Sequence, residues 1–379
     1  MGLFDDAGLQ RPWIEGVAVV ANLVGDAVFP VGGVTAEQVA EAVAVVAAHD
    51  REVSVDLARR LPLCDTAELR PASSSSDWAE GRQDALCFLA STIQPSADRT
   101  SPFSVAVVGM PVTRNEWDCR ADLDAVRDLI RDGLGMTAAS FWPAPRTDVS
   151  SMSAVFKAST ILALPDGRRV ASVIAGRTGA RVVDVDIPMG FDGTSRFLKV
   201  AAGAVDRVAR ADEYLTASLN RVAPRFEWVV GHSLLNRRIG LVGESSFVLA
   251  AADFLGEVGC DVCMAGLTAG ARDLSGFPGS DDPDPSEPVD LVICNGPAAE
   301  ICARADLPFL EMTWPCTSHH VFFPRPSLGV DGAAAFLQEM VNRMNFFEIM
   351  VSWRNTVFSE EDRERRKARA SIPPDTRPE

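Results

Sequence analysis

Read for its alternation of apolar and polar positions, the chain divides into short β-branched runs and longer amphipathic stretches. "GVAVVANLVGDAVFPVGG" predicts a strand followed by a loop. "TAEQVAEAVAVVAAHD" predicts a helix, with Thr35 as N-cap and Gln38 completing a capping box. "SDWAEGRQDALCFLASTI" predicts an amphipathic helix with Cys87 on its apolar side. A βα rhythm then begins. "FSVAVVGM", "MTAASFWPA", "TILALP" and "ARVVDVDIPMG" read as strands, and "RADLDAVRDLIRDGLG", "VSSMSAVFKAS" and "GRRVASVIAGRTG" as the helices between them. One long helix is expected over "GTSRFLKVAAGAVDRVARADEYLTASLNRV".

The rhythm restarts near Arg237. Strands are expected at "RRIGLVG", "CDVCMAGL", "VDLVICN" and "LPFLEM". Helices are expected at "ESSFVLAAADFLGEVG" and "GPAAEICARAD", with a closing helix from "GVDGAAAFLQEM" onward. "ARDLSGFPGSDDPDPSEP" reads as an acidic, Pro-rich loop, and the tail after residue 355 as polar. Strands alternating with helices of this length predict parallel sheets. The expected fold is therefore α/β: two doubly wound, Rossmann-like parallel-sheet domains with a helical connector. The expected boundaries are an N-terminal α/β segment over 1–98, a middle domain over 99–225, a second domain over 226–355 and a tail over 356–379. Ligands in such folds bind beyond the carboxyl ends of the strands, so a cleft between the two domains is the expected site.

Composition narrows the function classes. The 379 residues carry a net charge of −16, which argues against nucleic acid and against an anionic membrane surface as partners. No apolar run approaches the roughly 18 residues a membrane span needs, and the first residues have no basic and apolar leader pattern. A cytoplasmic protein is expected. Its eight cysteines then read mostly as buried small hydrophobes rather than disulfides.

Candidate chemistry concentrates in a few places. "GLVGESS" puts Gly243 and Ser245 where a strand opens a helix, a turn whose amides suit an anion, with Ser245 or Ser246 as cap. "VVGMP" ends an earlier strand in a similar way. "CDVC" lacks the second pair a zinc ribbon needs, and its Cys260 and Cys263 straddle a strand start. "PCTSHH" holds half of the four histidines. Cys316, His319 and His320 offer thiolate and imidazole groups that suit zinc, iron or copper. Adjacent histidines rarely point the same way, so one ligand is expected rather than two, with Cys316 and His319 the metal candidates. A polar loop with part-exposed histidines accounts for the same residues.

The order of "PVDLVICNGPAAEICARADLPFLEM", a histidine-bearing loop and "PSLGVDGAAAFLQEMVNRM" resembles the nitrogenase component 1-like superfamily. That group includes the molybdenum–iron protein subunits, their cofactor-assembly scaffolds and the dark-operative protochlorophyllide and chlorophyllide reductases. "VDIPMGFDGTSRFLKVAA" matches its P-x-G-x-x-x-T-x-x-F-L element through Pro188, Gly190, Thr194 and Phe197. The resemblance covers roughly residues 100–350. It implies a subunit of a multi-subunit oxidoreductase that pairs with a homologous component 1-like subunit and is fed by an ATP-dependent iron protein. A metal cluster or tetrapyrrole would be shared with that partner, or none would be bound by this chain alone.

The resemblance also implies departures from the family pattern. The chain reads as N-terminally truncated. Val19 lies near an expected cluster cysteine, and Asp26 keeps part of an acidic pair, so cluster cysteines are not recognisable. Thr313 falls where a cofactor-binding histidine would stand, which leaves a contact or gating role for the 313–320 loop, with His319 facing inward. A non-catalytic scaffold, carrier or structural partner is the alternative reading.

Overall fold

A computed structural model describes residues 11–49, 57–63, 69–72, 77–95, 104–267, 289–316 and 318–357. The acidic Pro-rich loop lies outside these residues, as do Cys64 and, apart from its start, the polar tail. Strands β1 (Ser104–Val108), β2 (Thr137–Trp142), β3 (Thr160–Ala163) and β4 (Arg181–Asp184) form one sheet. Its order is β2-β1-β3-β4 and every pair is parallel. Strands β5 (Arg238–Gly243), β6 (Asp261–Leu267), β7 (Leu291–Cys294) and β8 (Phe309–Glu311) form the second, in the order β6-β5-β7-β8 and again all parallel. Both β1 and β3 are buried along their whole length, as is β7. That explains why they read as continuous apolar runs: helices cover both faces of a parallel sheet.

The helices of the N-terminal part are α1 (Arg11–Leu23), α2 (Ala36–His49) and α3 (Trp78–Thr92). Those of the first sheet are α4 (Trp117–Asp128), α5 (Val149–Met152) and α6 (Arg168–Thr178). The connector comprises α7 (Gly190–Val205), α8 (Val208–Val222) and the single turn α9 (Glu227–Val229). The second sheet carries α10 (Ser245–Glu257), α11 (Gly296–Arg304) and the long α12 (Gly329–Val357). One large apolar core runs through both sheets and the N-terminal helices, and a smaller cluster of Val292, Cys294, Ala299 and Cys302 packs between β7 and α11. Several helix ends follow the sequence. Thr35 and Gln38 form the reciprocal pair at the start of α2, with Thr35 N donating to Gln38 Oε1 at 2.8 Å. Asp77 and Asn295 cap α3 and α11.

Three expectations are corrected. The "GVAVVANL" run is helix α1, not a strand. Its β-branched residues suggested a strand, but nine of its thirteen residues are buried. A helix sunk in the core on nearly all sides loses the 3.6-residue pattern. The expected single connector helix is two, because Asp206 adopts a left-handed φ of 56° and ends α7. Neither Ser245 nor Ser246 caps α10. The cap position is Glu244, with no side-chain cap bond, and the Ser246 hydroxyl bonds Asp166 instead at 2.8 Å.

Glycine sets two of the tightest approaches. α1 crosses α3 at Gly16 and Gly81, where a Cβ on either would lie 1.8 Å from a carbonyl oxygen of the other helix. The resembling element around Pro188 also proves structural. Gly190, at φ 74°, lets the chain pass the Phe254 ring, and Thr194 Oγ1 donates to the Gly190 carbonyl at 2.6 Å. Glu257 of α10 accepts from the Phe191 and Asp192 amides at the start of α7, which fastens the connector to the second sheet.

The Gly16–Gly81 crossing should be intolerant of any side chain. Gly16→Ala is expected to lower unfolding free energy by on the order of 2–3 kcal/mol, because backbone rather than a flexible side chain stands in the way. Gly176→Ala, in α6 with no atom near its added Cβ, should be neutral or stabilising by up to about 1 kcal/mol. Urea midpoints of the two variants check this; equal midpoints would contradict the account.

Candidate functional site

The carboxyl ends of both sheets face one cleft. The segment after β1 supplies Pro111, Thr113 and Arg114, and the turn between β5 and α10 supplies Glu244. The end of β8 supplies Glu311, Met312 and Thr313. The loop from Thr313 to Leu328 then crosses from the second sheet to α4 and closes the cleft.

Arg114 is the centre of this closure. Its side chain is 3% exposed, and it donates to Asp118, to the His319 carbonyl at 3.1 Å, and lies 3.6 Å from Glu116. Burial opposes its charge, but the Asp118 carboxylate and neighbouring groups outweigh burial and raise its pKa further. Glu116 reaches back to the loop: it accepts from Val321 N at 2.8 Å and pairs with His320 Nδ1 at 2.8 Å. Asp122 of α4 takes the loop's far end, accepting from Ser327 N at 2.6 Å, Ser327 Oγ at 2.9 Å and Leu328 N at 3.0 Å. Glu311 accepts from Ser318 Oγ at 2.6 Å.

The residues singled out by sequence are distributed unevenly. Thr313, Cys316 and His319 line the cavity; His320, Gly243 and Ser245 do not. Thr313 donates to the Val242 carbonyl at 3.0 Å and sits against Gly243, where an added Cβ would lie 2.7 Å from its methyl group. His319 Nε2 lies 2.7 Å from an Arg325 guanidinium nitrogen, and Arg325 in turn bonds Glu339 at 2.8 Å. Burial first, then the Arg325 and Arg114 charges, lowers the His319 pKa. The imidazole is therefore neutral at neutral pH, and with Arg325 donating, its Nε2 lone pair is already used. Burial pushes the Cys316 thiol up to about 12, and the thiol points to the His319 carbonyl at 3.7 Å. Both CxxC thiols are buried and spent on carbonyls, Cys260 on Leu234 and Cys263 on Ile239.

This donor set does not fit a metal cluster. Its imidazole is committed to a guanidinium, its thiol is turned to the His319 carbonyl, and among the described residues no three His, Cys, Asp or Glu side chains converge as ligands. Nor does the cleft fit a tetrapyrrole. Its cavity of about 80 Å³ is room for a few waters. Sequence reasoning missed most of what builds the site: Arg114, Glu116, Asp118, Asp122, Glu244, Arg325 and Glu339. The dense charge run "RNEWDCRAD" just past a strand's carboxyl end was the available signal.

Comparisons place this fold among known proteins. A family profile described as nitrogenase component 1 type oxidoreductase matches residues 69–345. A solved structure described as "Nitrogenase Cp1 at pH 6.5" superposes with a TM-score of 0.68 at 12% identity, over 91% of this chain and 93% of that one. Another, "Nitrogenase Cp1 at pH 5", gives 0.59 at 13% identity, over 79% and 67%. At such identities the likeness is one of fold. No curated protein matches the chain.

Two outcomes follow from the charge arrangement. Arg114→Met leaves Asp118 and Glu116 without their buried partner and should cost on the order of 3 kcal/mol. Arg114→Met combined with Asp118→Leu should recover part of that loss in thermal or urea unfolding; a double variant no more stable than the single would contradict it. The second concerns pH. Burial, with Asp166 alongside, raises Glu244 to about 8, and burial raises Asp122 to about 7. Between their ordinary values and these, the folded protein holds protons that the unfolded chain releases. Stability should therefore fall as pH rises from about 5 to 8. Glu244→Gln should flatten that fall in melting temperature; an unchanged slope would count against it.

Proposed function

The chain belongs to the nitrogenase component 1 type oxidoreductases, and from that premise we propose that it is the supporting subunit of a nitrogenase-like complex. In this reading a homologous component 1-like subunit carries the reductive centre, and an ATP-dependent iron protein feeds electrons to the assembly. This chain contributes fold and contact surface rather than metal ligands from its own cleft.

One observation carries the reading: the polar groups that close the cleft are bonded to one another. Arg114, Glu116, His319, His320, Arg325 and Glu339 form linked pairs, so recruiting a ligand would first break bonds already made. A cofactor-carrying subunit needs the opposite, donors aimed into open space. The surface supports a role in assembly. Phe322 and Phe323, at the outer edge of the closing loop, are 76% and 80% exposed, and Phe346 and Ile349 of α12 are also exposed. An adjacent exposed pair such as Phe322 and Phe323 suits a protein contact. No described helix is long and apolar enough to cross a membrane, and the seven described cysteines are free, in keeping with a reducing, cytoplasmic setting.

The test is anaerobic purification of this chain alone and co-expressed with a cysteine-complete component 1-like subunit, with iron measured in each. The expected result is a hetero-oligomer whose iron follows the partner and is unchanged by His319→Ala or Cys316→Ala here. Stoichiometric iron on this chain alone, lost with either substitution, would reject the proposal.

A further inference from the structure

We propose that Cys294 and Cys302 form a reactive dithiol outside the cleft, a site at which a peroxide closes a disulfide between β7 and α11 and shifts the anchor of the loop that covers the cleft. Cys294 is the last residue of β7, and Cys302 stands in the last turn of α11. Strand residues two apart share a face, as do helix residues three apart. Val292 and Cys294 therefore meet Ala299 and Cys302 in a small buried cluster of their own. Within it the Cys294 thiol donates to the Cys302 sulfur. Both cysteines are free, and neither lines the cleft.

The two thiols are not equivalent. Burial raises both, but the bond between them lowers Cys302 and raises Cys294 further. Cys302 is thus the attacking sulfur and Cys294 the resolving one. Cys302 is also the nearer to solvent: it is 6% exposed, between an exposed Ile301 and exposed residues 303–307. The nine-residue α11 leans on this small cluster rather than on the main core, so its local opening costs little and admits a peroxide. The Cys302 sulfur attacks one peroxide oxygen, and the O–O bond breaks to give a sulfenic acid and water. The Cys294 sulfur then attacks the sulfenic sulfur. The S–O bond breaks, and the hydroxide leaves with the Cys294 proton as a second water. The two thiols lose two electrons and two protons, and one peroxide becomes two waters.

The loop feels this bond through the backbone. The Cys294 carbonyl accepts from Met312 N at 3.0 Å and Thr313 N at 3.5 Å, and Gly296 N donates to the Pro315 carbonyl at 2.7 Å. These bonds hold the start of the loop that closes the cleft. Drawing the two sulfurs from contact to bonding distance moves the end of β7 against α11, and the loop's anchor with it.

The test treats the reduced full chain with hydrogen peroxide, then quenches it in acid, alkylates free thiols and maps the cysteines by mass spectrometry. The expected product carries Cys294 and Cys302 unalkylated and joined to each other, and dithiothreitol reverses it. Its rate should rise about tenfold per pH unit while the thiolate is the minor form. Cys302→Ala should leave Cys294 alkylable, and Cys294→Ala should stop Cys302 at a sulfenic acid that dimedone traps. Hydrogen exchange at the Met312 and Thr313 amides should change by about threefold or more on oxidation, but not in peroxide-treated Cys302→Ala. Recovery of both cysteines alkylated, or of either oxidised alone or bridged elsewhere in the unsubstituted chain, would overturn the site. Unchanged exchange in the oxidised chain would overturn its link to the loop. Neither result bears on which subunit carries iron.

Discussion

A guanidinium group that has lost its water must be repaid by the protein around it, and Arg114 is that group here. Removing it from solvent is costly unless charges and carbonyls replace the hydration shell. The replacement comes from two directions: Asp118 and Glu116 on its own side of the cleft, and the His319 carbonyl from the loop that leaves the second sheet. The need to satisfy one buried cation thus draws the two sheets together. Glu116 and Asp122 extend the same logic, each accepting from loop amides. The loop's path from Thr313 to Leu328 is a chain of such payments.

The closed cleft follows from this constraint. The backbone architecture of the component 1 type oxidoreductases is kept, with parallel sheets whose carboxyl ends converge. The converging side chains, however, are turned on each other. Cys316 is a buried thiol against a carbonyl, and His319 is a neutral acceptor under Arg325. Thr313 fills the space beside Gly243. Fold and ligand chemistry are separable properties, and among the described residues the cleft has the first without three His, Cys, Asp or Glu side chains grouped as metal ligands.

Much of the fold was legible because burial and period agree in it. All eight described strands fell on short apolar runs, and the Thr35–Gln38 pair and the start of α12 at Gly329 follow from residue type. α1 was misread because a helix buried on nearly every side presents no stripe. The break at Asp206 was missed because nothing in the local pattern competes with a helix until the chain must turn. The site was less legible. Its residues come from segments some 200 positions apart, as with Arg114 and His319, and a lone arginine or glutamate carries no local mark of its partner. Histidines drew attention to a loop that lines the cavity, but the contacts there are set by the arginines that engage them.

The most direct test of the central claim is an iron-edge anomalous difference map from crystals of the complex with its homologous partner. The account predicts no iron in the cleft bounded by Arg114, Thr313 and His319, with the Arg114–His319 carbonyl bond intact. Iron within bonding distance of Cys316 Sγ or His319 Nε2 would contradict it.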